Sequence, residues 1–574
     1  SSIQWCKMFL NINDLPTVPK NCVVTDAQIA LYCKNLDTVA STTLTIGAQD
    51  VTSTKPSSHD TCGTWIGYMD YTEMEETIDL DSNVLDYHTM SSSDVYSYIS
   101  WNVTRAALRW YENADDDLKP RAVGFIPTIT DGTYVAAYFY GYSSSSGPRF
   151  IVTYRNTVGI EDYYTYQTAS ASRAGTVYVG EFTEQLTLVH SDLSLNTTTV
   201  NFSLAHIYNS ANNSSHFTNN ATAAINTKSF SSMKTGLGWK LSAQETIVEK
   251  TLSGINYLIY NDADGTEHYF MQSGTSSTYN DEDGLGLKIV TSTSGSDTIY
   301  TMTDTDAYNT KVFHNGYLIS STDSNGNAIY YAYNSNYNSS GTAWKPTTGT
   351  ANQLVQIVEK TDLSTASLRT LATLSYNSDG TLSTITDYAN RTTSFSYNSY
   401  GHLTQITHPD GTTASYTYTD TGYMTRATDS ENGCGLSIAY SSNIQGGYTV
   451  GCVEEFAGSE YGNSFWINRL SPQKMSCRYY GIDGIPRTAD DLVVYSVFDY
   501  WGRTVNSYTM DSYDEKLYGV STATYTANKS TNSSNNRITS TGTSGVYSQN
   551  LLKDGGLEFH DTIAAWSSYG TGGS

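Results

Sequence analysis

A 21-residue internal period constrains this chain more than any other feature of its sequence. Tyr376, Tyr397 and Tyr418 are spaced 21 residues apart. Each is followed after four positions by a glycine and after six by Leu or Met, namely Gly380, Gly401 and Gly422, then Leu382, Leu403 and Met424. A period of this length indicates copies of one supersecondary unit that bury their apolar faces against one another. The sequence therefore predicts a repeat architecture.

The repeat unit contains two turn signals. In the copy that begins at Tyr397, an Asn-x-x-Gly turn ends at Gly401 and a Pro-Asp-Gly turn ends at Gly411. Glycine suits such turns because it adopts a positive φ without steric cost. Short strands separate the turns, so each unit is a β-hairpin, and hairpins must stack to bury a core. Diverged copies run over residues 313–333 and 498–504.

Composition extends the β prediction to the whole chain. The 574 residues include 48 Tyr and 44 Gly, and long helix-forming residues are sparse. Such usage favours strands over a helix bundle. The predicted fold is all-β, with an N-terminal β-sandwich followed by a partial, spiralling shell of β-hairpins. The exception is residues 103–110, where Val103, Ala107 and Trp110 fall on one face of a helix.

Charge and hydropathy exclude several partners. The chain has 31 basic and 56 acidic residues, which gives a net charge of −25. That charge would repel a phosphate backbone and an anionic membrane surface, so we expect no nucleic-acid partner. The sequence contains no run of 18 apolar residues, so it predicts no membrane-spanning helix. We expect a secreted or cell-surface, wall-associated protein, and the start at Ser1 without a leader suggests a fragment or a trimmed mature chain.

The seven cysteines are few for a chain of this length, and no Cys-x-x-Cys pair predicts a zinc ribbon. Buried free thiols are the favoured interpretation because a free cysteine behaves as a small apolar side chain. One or two disulfides are the alternative.

The period, with its Tyr, Gly-x-Leu and Asp-Gly positions, resembles the YD repeats of RHS proteins. That resemblance implies a hollow β-shell, which in toxin-delivering members ends in an aspartyl self-cleavage motif and encloses a C-terminal polypeptide. No such motif occurs here. The copies also depart from the Tyr-Asp…Gly-Arg-Leu signature, with Asn at 377 and 398, Thr at 419, and Arg only at 503. Upstream, Tyr208-Asn-Ser210 and Gly236-Leu-Gly-Trp239 resemble the opening of an RHS shell.

The two ends of the chain carry weaker resemblances. Residues 9–16, 29–32, 101–104 and 123–125, with Trp110 and the strand that ends at Tyr154, resemble a DNRLRE-type β-sandwich. Residues 548–559 with Trp566 resemble the first strand of a jelly-roll carbohydrate-binding module. The expected domains are the sandwich at 1–155, an RHS-opening segment at 156–250, the YD-repeat shell at 251–525, and a linker with the start of a truncated module at 526–574.

No catalytic motif stands out. The sequence has no Gly-x-Ser-x-Gly, no phosphate-binding loop and no His-Glu-x-x-His. Glu454 and Glu455 are adjacent on a strand and would point to opposite faces, so they cannot act on one glycosidic bond. His190 and His206 lie within strands and are predicted to be structural. We predict no catalytic residues, no cofactor and no enzymatic activity.

Acidic turns are the remaining metal candidates. Asp262-Ala-Asp-Gly265 and Asn280-Asp-Glu-Asp-Gly284 look like hairpin turns, and Asp483, Asp490 and Asp491 cluster three carboxylates. Calcium takes six to eight oxygen ligands, and none of these segments matches a calcium loop. Ordinary Asp-Gly turn chemistry is the favoured explanation, with calcium at 483–491 as the alternative.

The leading functional hypothesis is a non-enzymatic, secreted or wall-associated YD-repeat scaffold or encapsulation protein. Its sandwich would attach to a surface or a cell-wall glycan, and a polypeptide would be its cargo. The alternatives are a carbohydrate-binding adhesin and the upstream part of a polymorphic toxin whose C-terminal effector is absent here.

Overall fold

The computed structural model describes most of the chain. The described residues are 8–18, 22–37, 42–52, 80–112, 120–130, 135–141, 144–161, 163–197, 201–213, 226–252, 254–282, 285–333, 353–360, 368–442, 448–457, 460–471, 473–480, 491–499, 502–511, 517–525 and 538–544. Strands account for 64% of the structure and helix for 4%, which confirms the all-β fold. No described helix has the length and apolar character needed to cross a membrane.

The chain divides into two compact units. The first comprises Ser1–Arg155 with Ser442–Gly447, and the second comprises Asn156–Ser441 with Tyr448–Ser574. Each unit has its own main apolar core.

The first unit is a β-sandwich with one helix. Its elements are β1 (Met8–Asn11), β2 (Cys22–Asp37), β3 (Leu44–Val51), β4 (Leu80–Thr89), β5 (Tyr98–Asn102), α1 (Thr104–Glu112), β6 (Ala122–Ile129), β7 (Ala136–Phe139) and β8 (Arg149–Asn156). One sheet has the order β1-β6-β3-β4; the other has the order β5-β2-β7, with β8 also paired to β2. The buried rings of Trp101, Trp110 and Phe125 form the centre of its core. The predicted helix exists, and Trp110 holds α1 against that core.

The second unit begins with a five-stranded antiparallel sheet, called here the inner sheet. Its strands are β9 (Tyr166–Ser170), β10 (Thr176–Gly180), β11 (Leu186–Asn196), β12 (Asn201–Asn209) and β13 (Trp239–Leu241). They pair in sequence order, so the inner sheet is a meander.

A single 24-stranded sheet follows, in which each strand pairs with the next along the chain. Its first strands are β14 (Thr246–Leu252), β15 (Ile255–Asn261), β16 (Glu267–Gln272), β17 (Thr278–Asp281), β18 (Leu287–Ser294), β19 (Asp297–Asp304), β20 (Thr310–His314) and β21 (Tyr317–Thr322). The middle strands are β22 (Ala328–Ala332), β23 (Gln356–Lys360), β24 (Leu368–Tyr376), β25 (Leu382–Asp387), β26 (Thr392–Tyr397), β27 (Leu403–Thr407), β28 (Thr413–Tyr418) and β29 (Met424–Asp429). The last are β30 (Cys434–Ser442), β31 (Tyr448–Ala457), β32 (Glu460–Ser471), β33 (Lys474–Tyr480), β34 (Leu492–Phe498), β35 (Thr504–Asp511), β36 (Leu517–Tyr525) and β37 (Ile538–Ser544).

The long sheet closes on itself at its start. Strand β14 pairs with β15 and also with β21, where Thr246 lies opposite Tyr317. The amide of Ile247 donates to the Gly316 carbonyl at 2.9 Å. Strands β14–β21 therefore form a closed eight-stranded ring, called here the first ring. Gly316 is required at the seam because a Cβ there would lie 2.2 Å from the Ile247 carbonyl oxygen.

The repeat tyrosines bond one hairpin to the previous one. The hydroxyl of Tyr397 donates to the Leu382 carbonyl at 2.9 Å, and that of Tyr418 donates to the Leu403 carbonyl at 2.5 Å. The rings pack against the core of the second unit. A buried phenol needs such an acceptor, so the period places each donor beside the carbonyl of the preceding repeat. The predicted stack of β-hairpins is confirmed.

Candidate functional site

The structure describes only one of the three residues predicted as metal ligands. Asp483 and Asp490 lie outside the described residues, whereas Asp491 is buried directly before β34. Across the described ranges, no group of three or more His, Cys, Asp or Glu side chains could hold a metal ion. The geometry at Asp491 therefore identifies no ligand set.

The acidic turn at Asp262 uses its carboxylates to close itself. Asp262 Oδ1 accepts the amides of Asp264, Gly265 and Thr266 at 2.9–3.1 Å. Asp264 Oδ1 accepts the Thr266 hydroxyl at 2.7 Å and the Ile160 amide at 3.1 Å. Burial and the neighbouring Asp262 charge raise the pKa of Asp264 to about 7. The turn-chemistry explanation holds for this segment.

A fully buried carboxylate lies between two histidines of the inner sheet. His190 on β11 is paired directly with His206 on β12, and the register then shifts so that Asp192 is the extra residue of a β-bulge. A bulge locally re-aims the side chains of the strand that carries it. The Asp192 carboxylate contacts His190 Nδ1 at 2.9 Å through one oxygen and His206 Nδ1 at 2.5 Å through the other.

This histidine cluster packs against the repeat hairpins. The His190 ring stacks on His408 with 5.3 Å between centroids and 16° between planes, and His206 lies 4.5 Å from Phe395. Burial alone would raise the pKa of Asp192, but the charges and hydrogen bonds of His206 and His190 hold it below its usual value. Burial, with the charges of His190 and Arg173, lowers the pKa of His408.

A cleft of about 420 Å³ opens between the inner sheet and the repeats beside this cluster. Arg173, from the turn between β9 and β10, reaches the second turns of two repeats. Its Nη1 contacts Asp410 at 2.7 Å and Glu431 at 3.1 Å. Arg391 on the opposite wall pairs with Asp387 at 2.7 Å. Both guanidinium groups therefore already have carboxylate partners, which makes this cleft a junction rather than an anion site.

Strand β12 and the residues just before β13 also bond to the row of repeat glycines. The Gly380 carbonyl accepts the Lys234 amide at 2.8 Å, and the Gly401 carbonyl accepts the Leu237 amide at 3.0 Å. The Gly422 carbonyl accepts the Tyr208 hydroxyl at 3.1 Å. Three successive repeats are thus fastened to one segment that crosses them. The resemblance of residues 208–239 to the opening of an RHS shell falls on this fastening segment.

The cluster has the histidine–carboxylate pairing of a general base but no nucleophile beside it. The Nε2 atoms of His190 and His206 are buried and have no hydrogen-bond partner. Of the sequence-adjacent pair Glu454 and Glu455, Glu455 accepts the Ser170 amide at 2.8 Å and so links β31 to the inner sheet. Among the described residues, no serine, threonine or cysteine is bonded to either Nε2. The prediction that these histidines are structural agrees with this packing.

Burial shields most of the described thiols. Cys33, Cys434, Cys452 and Cys477 are free, and all except Cys434 are buried. Burial raises the pKa of both Cys452 and Cys477 to about 12, so their thiols are protonated and unreactive at neutral pH. Cys6 and Cys62 lie outside the described residues.

Sequence reasoning missed Asp192 and His408. His408 had a usable signal because Asp387, His408 and Asp429 are themselves spaced 21 residues apart. They begin the second turn of three successive repeats, and the Oδ1 atoms of Asp387 and Asp429 accept amides of those turns. Asp192 is two residues from His190, a spacing that alternation places on one face, but its contact with His206 depends on how β11 pairs with β12.

The repeat hairpins match a known family. Residues 376–413 match the RHS repeat family. This match supports the predicted repeat type over β25–β27, and the hairpins on either side extend the same architecture into a shell. No curated protein matches the chain.

Solved structures resemble the chain only distantly. The crystal structure of TcdB2-TccC3-TEV has 10% sequence identity and a TM-score of 0.26, and the match covers 65% of this chain and 22% of that one. The Tc holotoxin pore of Photorhabdus luminescens has 9% identity and a TM-score of 0.23, covering 65% and 25%. TcdB2-TccC3-Cdc42 has 10% identity and a TM-score of 0.18, covering 62% and 26%. The chain spans about a quarter of the length of these structures, and a likeness of this size identifies neither activity nor partner.

Proposed function

We propose that the chain is a non-enzymatic, secreted RHS-repeat shell that acts as a scaffold and encloses a polypeptide. The observation that carries the proposal is the continuous 24-stranded sheet, which closes into the first ring and continues past it through the RHS repeat. A sheet that curls round in this way has an inside, and the inner sheet occupies part of it through the histidine and glycine contacts described above. A curved sheet whose interior is partly filled by the inner sheet is suited to enclosing a polypeptide rather than to enzymatic turnover.

The first unit would supply attachment. It is a β-sandwich with its own core, so its fold does not depend on the core of the shell. We propose that it has the DNRLRE-type fold and retains the protein on a cell-wall or other surface polysaccharide. The alternatives are a carbohydrate-binding adhesin and the upstream part of a polymorphic toxin.

Protease protection tests enclosure. A flexible epitope is fused after Ser574 in one protein and before Ser1 in another, and both are treated with a non-specific protease under native conditions. If the shell encloses a downstream polypeptide, the C-terminal epitope is lost at least tenfold more slowly than the N-terminal one. Equal loss rates contradict the proposal, and denaturation before digestion is the control that must remove the difference.

Attachment and turnover are tested separately. Residues 1–155 and the whole chain are run in affinity electrophoresis through gels that contain different polysaccharides, and the whole chain is assayed for released reducing ends. The proposal expects retardation of both proteins by at least one polysaccharide and no sugar release. Release of reducing ends would overturn the non-enzymatic assignment, while failure of residues 1–155 to shift would remove the attachment role alone.

Calcium at residues 483–491 remains a secondary proposal, supported by the sequence cluster alone. Calcium binding would raise the melting temperature because a ligand that binds only the folded state stabilises it. If that loop is the site, Asp490→Asn with Asp491→Asn removes the calcium-dependent rise. A rise that survives both substitutions places the ion elsewhere.

A further inference from the structure

The interior of the first ring is filled with apolar side chains at its middle. Closed rings of about eight strands leave an interior that side chains fill or that holds one small ligand. Here inward-facing apolar side chains from six strands fill the middle, namely Ile247, Leu258, Phe270, Ile289, Met302 and Phe313. They belong to the continuous core of the second unit.

On several of these strands, the inward-facing residue two positions from the apolar one, toward one end of the ring, is polar. Strand alternation places Glu249 on the face of Ile247, Asn256 on the face of Leu258, and Thr291 on the face of Ile289. In the registers, Glu249 lies opposite Leu258, Thr251 opposite Asn256, and Thr291 opposite Tyr300. Polar side chains of several strands therefore follow the apolar ones toward the same end of the ring.

This level lines an open cleft of about 740 Å³ at one mouth of the first ring. The phenol ring of Tyr279 lies in its wall together with hydroxyl and amide side chains, and Tyr257 borders it. Tyr300 reaches across the interior from β19 and donates its hydroxyl to Glu249 on β14 at 2.8 Å. The hydroxyl of Tyr279 has no hydrogen-bond partner among the described residues.

The charges of the cleft select the kind of ligand. Glu249 and Lys250 contribute one negative and one positive charge, so the lining favours neither anions nor cations. Half-buried tyrosine rings offer rigid, amphipathic contact area at low entropic cost. Hydroxyl, amide and carboxylate groups around such rings match a ligand that has many hydroxyls and an apolar ring face.

We propose that this mouth of the first ring, built around Glu249 and Tyr279, binds a neutral oligosaccharide. The assignment goes beyond the proposed function because it places a glycan site in the shell itself, whereas the attachment role belongs to the first unit. Enclosure of a polypeptide does not depend on it.

The opposite mouth of the ring shows why this end is chosen. It has a cleft of about 520 Å³ lined in part by Lys311, Asp304 and Asp323. Lys311 Nζ is bonded to Glu245 at 2.6 Å, and the Asp304 and Asp323 carboxylates accept amides of their own turns. These charged groups already have partners within the protein, whereas at the first mouth the Tyr279 hydroxyl has none among the described residues.

The test is isothermal titration of the whole chain with cellohexaose, xylohexaose, mannohexaose and maltohexaose. We expect at least one to bind, and Tyr279→Ala to weaken that binding at least tenfold. Tyr279→Phe keeps the ring and should weaken it two- to threefold, while Glu249→Gln should weaken it about fivefold. The control is Tyr308→Ala, at a ring that is 70% exposed and outside the cleft, which should bind as the unchanged protein does. Melting curves confirm that each variant is folded.

Three results would overturn the assignment. One is the absence of binding by all four oligosaccharides. Another is binding that Tyr279→Ala leaves intact, which would place the glycan site in the first unit and leave the proposed attachment role standing. The third is displacement of the bound saccharide by an unfolded polypeptide, such as reduced carboxymethylated lactalbumin, which would make the mouth part of the cargo-holding surface. Failure of the protease-protection experiment has no bearing on these outcomes.

Discussion

Mild acid should loosen the contact between the inner sheet and the repeats through His402 and His408. Both imidazoles are buried where the repeats meet the inner sheet, and burial lowers the pKa of each. His408 faces His190 and Arg173, which oppose its protonation, and Asp410 and Asp192, which favour it. The unfavourable contributions dominate for both rings, so protonation would leave poorly compensated charges in a packed interface.

The sign and the size follow from proton linkage. A histidine with a pKa below about 6.5 in the folded state binds fewer protons when folded than when unfolded, so stability falls as the pH drops through the unfolded value. Each such histidine that stays neutral when folded changes the free energy of unfolding by at most about 1.4 kcal/mol per pH unit. For both rings together, the loss between pH 6.5 and 5.5 is at most about 2 kcal/mol, because the unfolded histidines are already half protonated at pH 6.5.

The assay is urea unfolding of the whole chain at pH 7.5, 6.5 and 5.5, followed by tyrosine and tryptophan fluorescence. His402→Gln with His408→Gln removes the titrating groups, so between pH 6.5 and 5.5 the variant should lose up to about 2 kcal/mol less than the unchanged protein. Other titrating groups are common to both proteins and cancel in the difference. The measurement at pH 7.5, where both imidazoles are neutral, gives the baseline cost of the substitutions. Parallel pH profiles would refute the reasoning.

Three further predictions test the shell. Gly422→Ala places a Cβ 2.8 Å from the Asn213 carbonyl oxygen and should cost at least about 3 kcal/mol, whereas Gly411→Ala meets open space at a similar positive φ and should cost about 1–2 kcal/mol in denaturant unfolding. Tyr397→Phe leaves the Leu382 carbonyl without its donor and should cost about 1–3 kcal/mol, while Tyr400→Phe, at a ring that is 80% exposed, should change the melting temperature little. Asp264 has a pKa raised to about 7, so over the range from pH 7 to 4 the folded state binds its proton more tightly than the unfolded state, and stability rises as the pH falls. Asp264→Asn should remove that rise. An unchanged pH profile in urea titrations would contradict this prediction.

The sequence predicts the local turns and hairpins, but it does not predict which distant strands pair. The spacing of Tyr376, Tyr397 and Tyr418 predicts stacked hairpins because each copy repeats its own turn and strand signals. The seam of the first ring, by contrast, joins Thr246 to Tyr317 across many intervening residues and involves no repeated pair. Gly316 lies at this seam, but in the sequence it cannot be distinguished from an ordinary turn glycine.

Strand alternation, the strongest sequence rule for β-structure, is interrupted directly after the buried cluster. Alternation places Asp192 on the face of His190, as their contact shows, but the register shift then brings Leu193 rather than Asp192 opposite Leu204. The bulge has no distinctive sequence, so the contact of Asp192 with His190 and His206 emerges only when β11 and β12 are paired. The cleft at Glu249 is different, since its change from apolar to polar residues follows alternation on each strand and becomes a site only through ring closure.

The unequal tolerance of the repeat positions has a physical explanation. The residue after Tyr397, Tyr418 or the equivalent Phe498 needs only a short side chain with an oxygen, because that oxygen accepts an amide inside its own turn. Asn398 Oδ1 accepts the His402 amide at 3.0 Å, Thr419 Oγ1 accepts the Tyr423 amide at 3.0 Å, and Asp499 Oδ1 accepts the Arg503 amide at 3.0 Å.

The glycines of the same turns meet two requirements at once. Gly380, Gly401 and Gly422 each take a positive φ and offer a carbonyl, to Lys234, Leu237 and Tyr208 respectively. A Cβ at Gly380 would also come within 3.1 Å of the Ser232 backbone. Asp, Asn and Thr can therefore exchange after the tyrosine while the glycine stays fixed. The Tyr-Asp signature can thus be lost while the hairpin and its attachment to the inner sheet are kept.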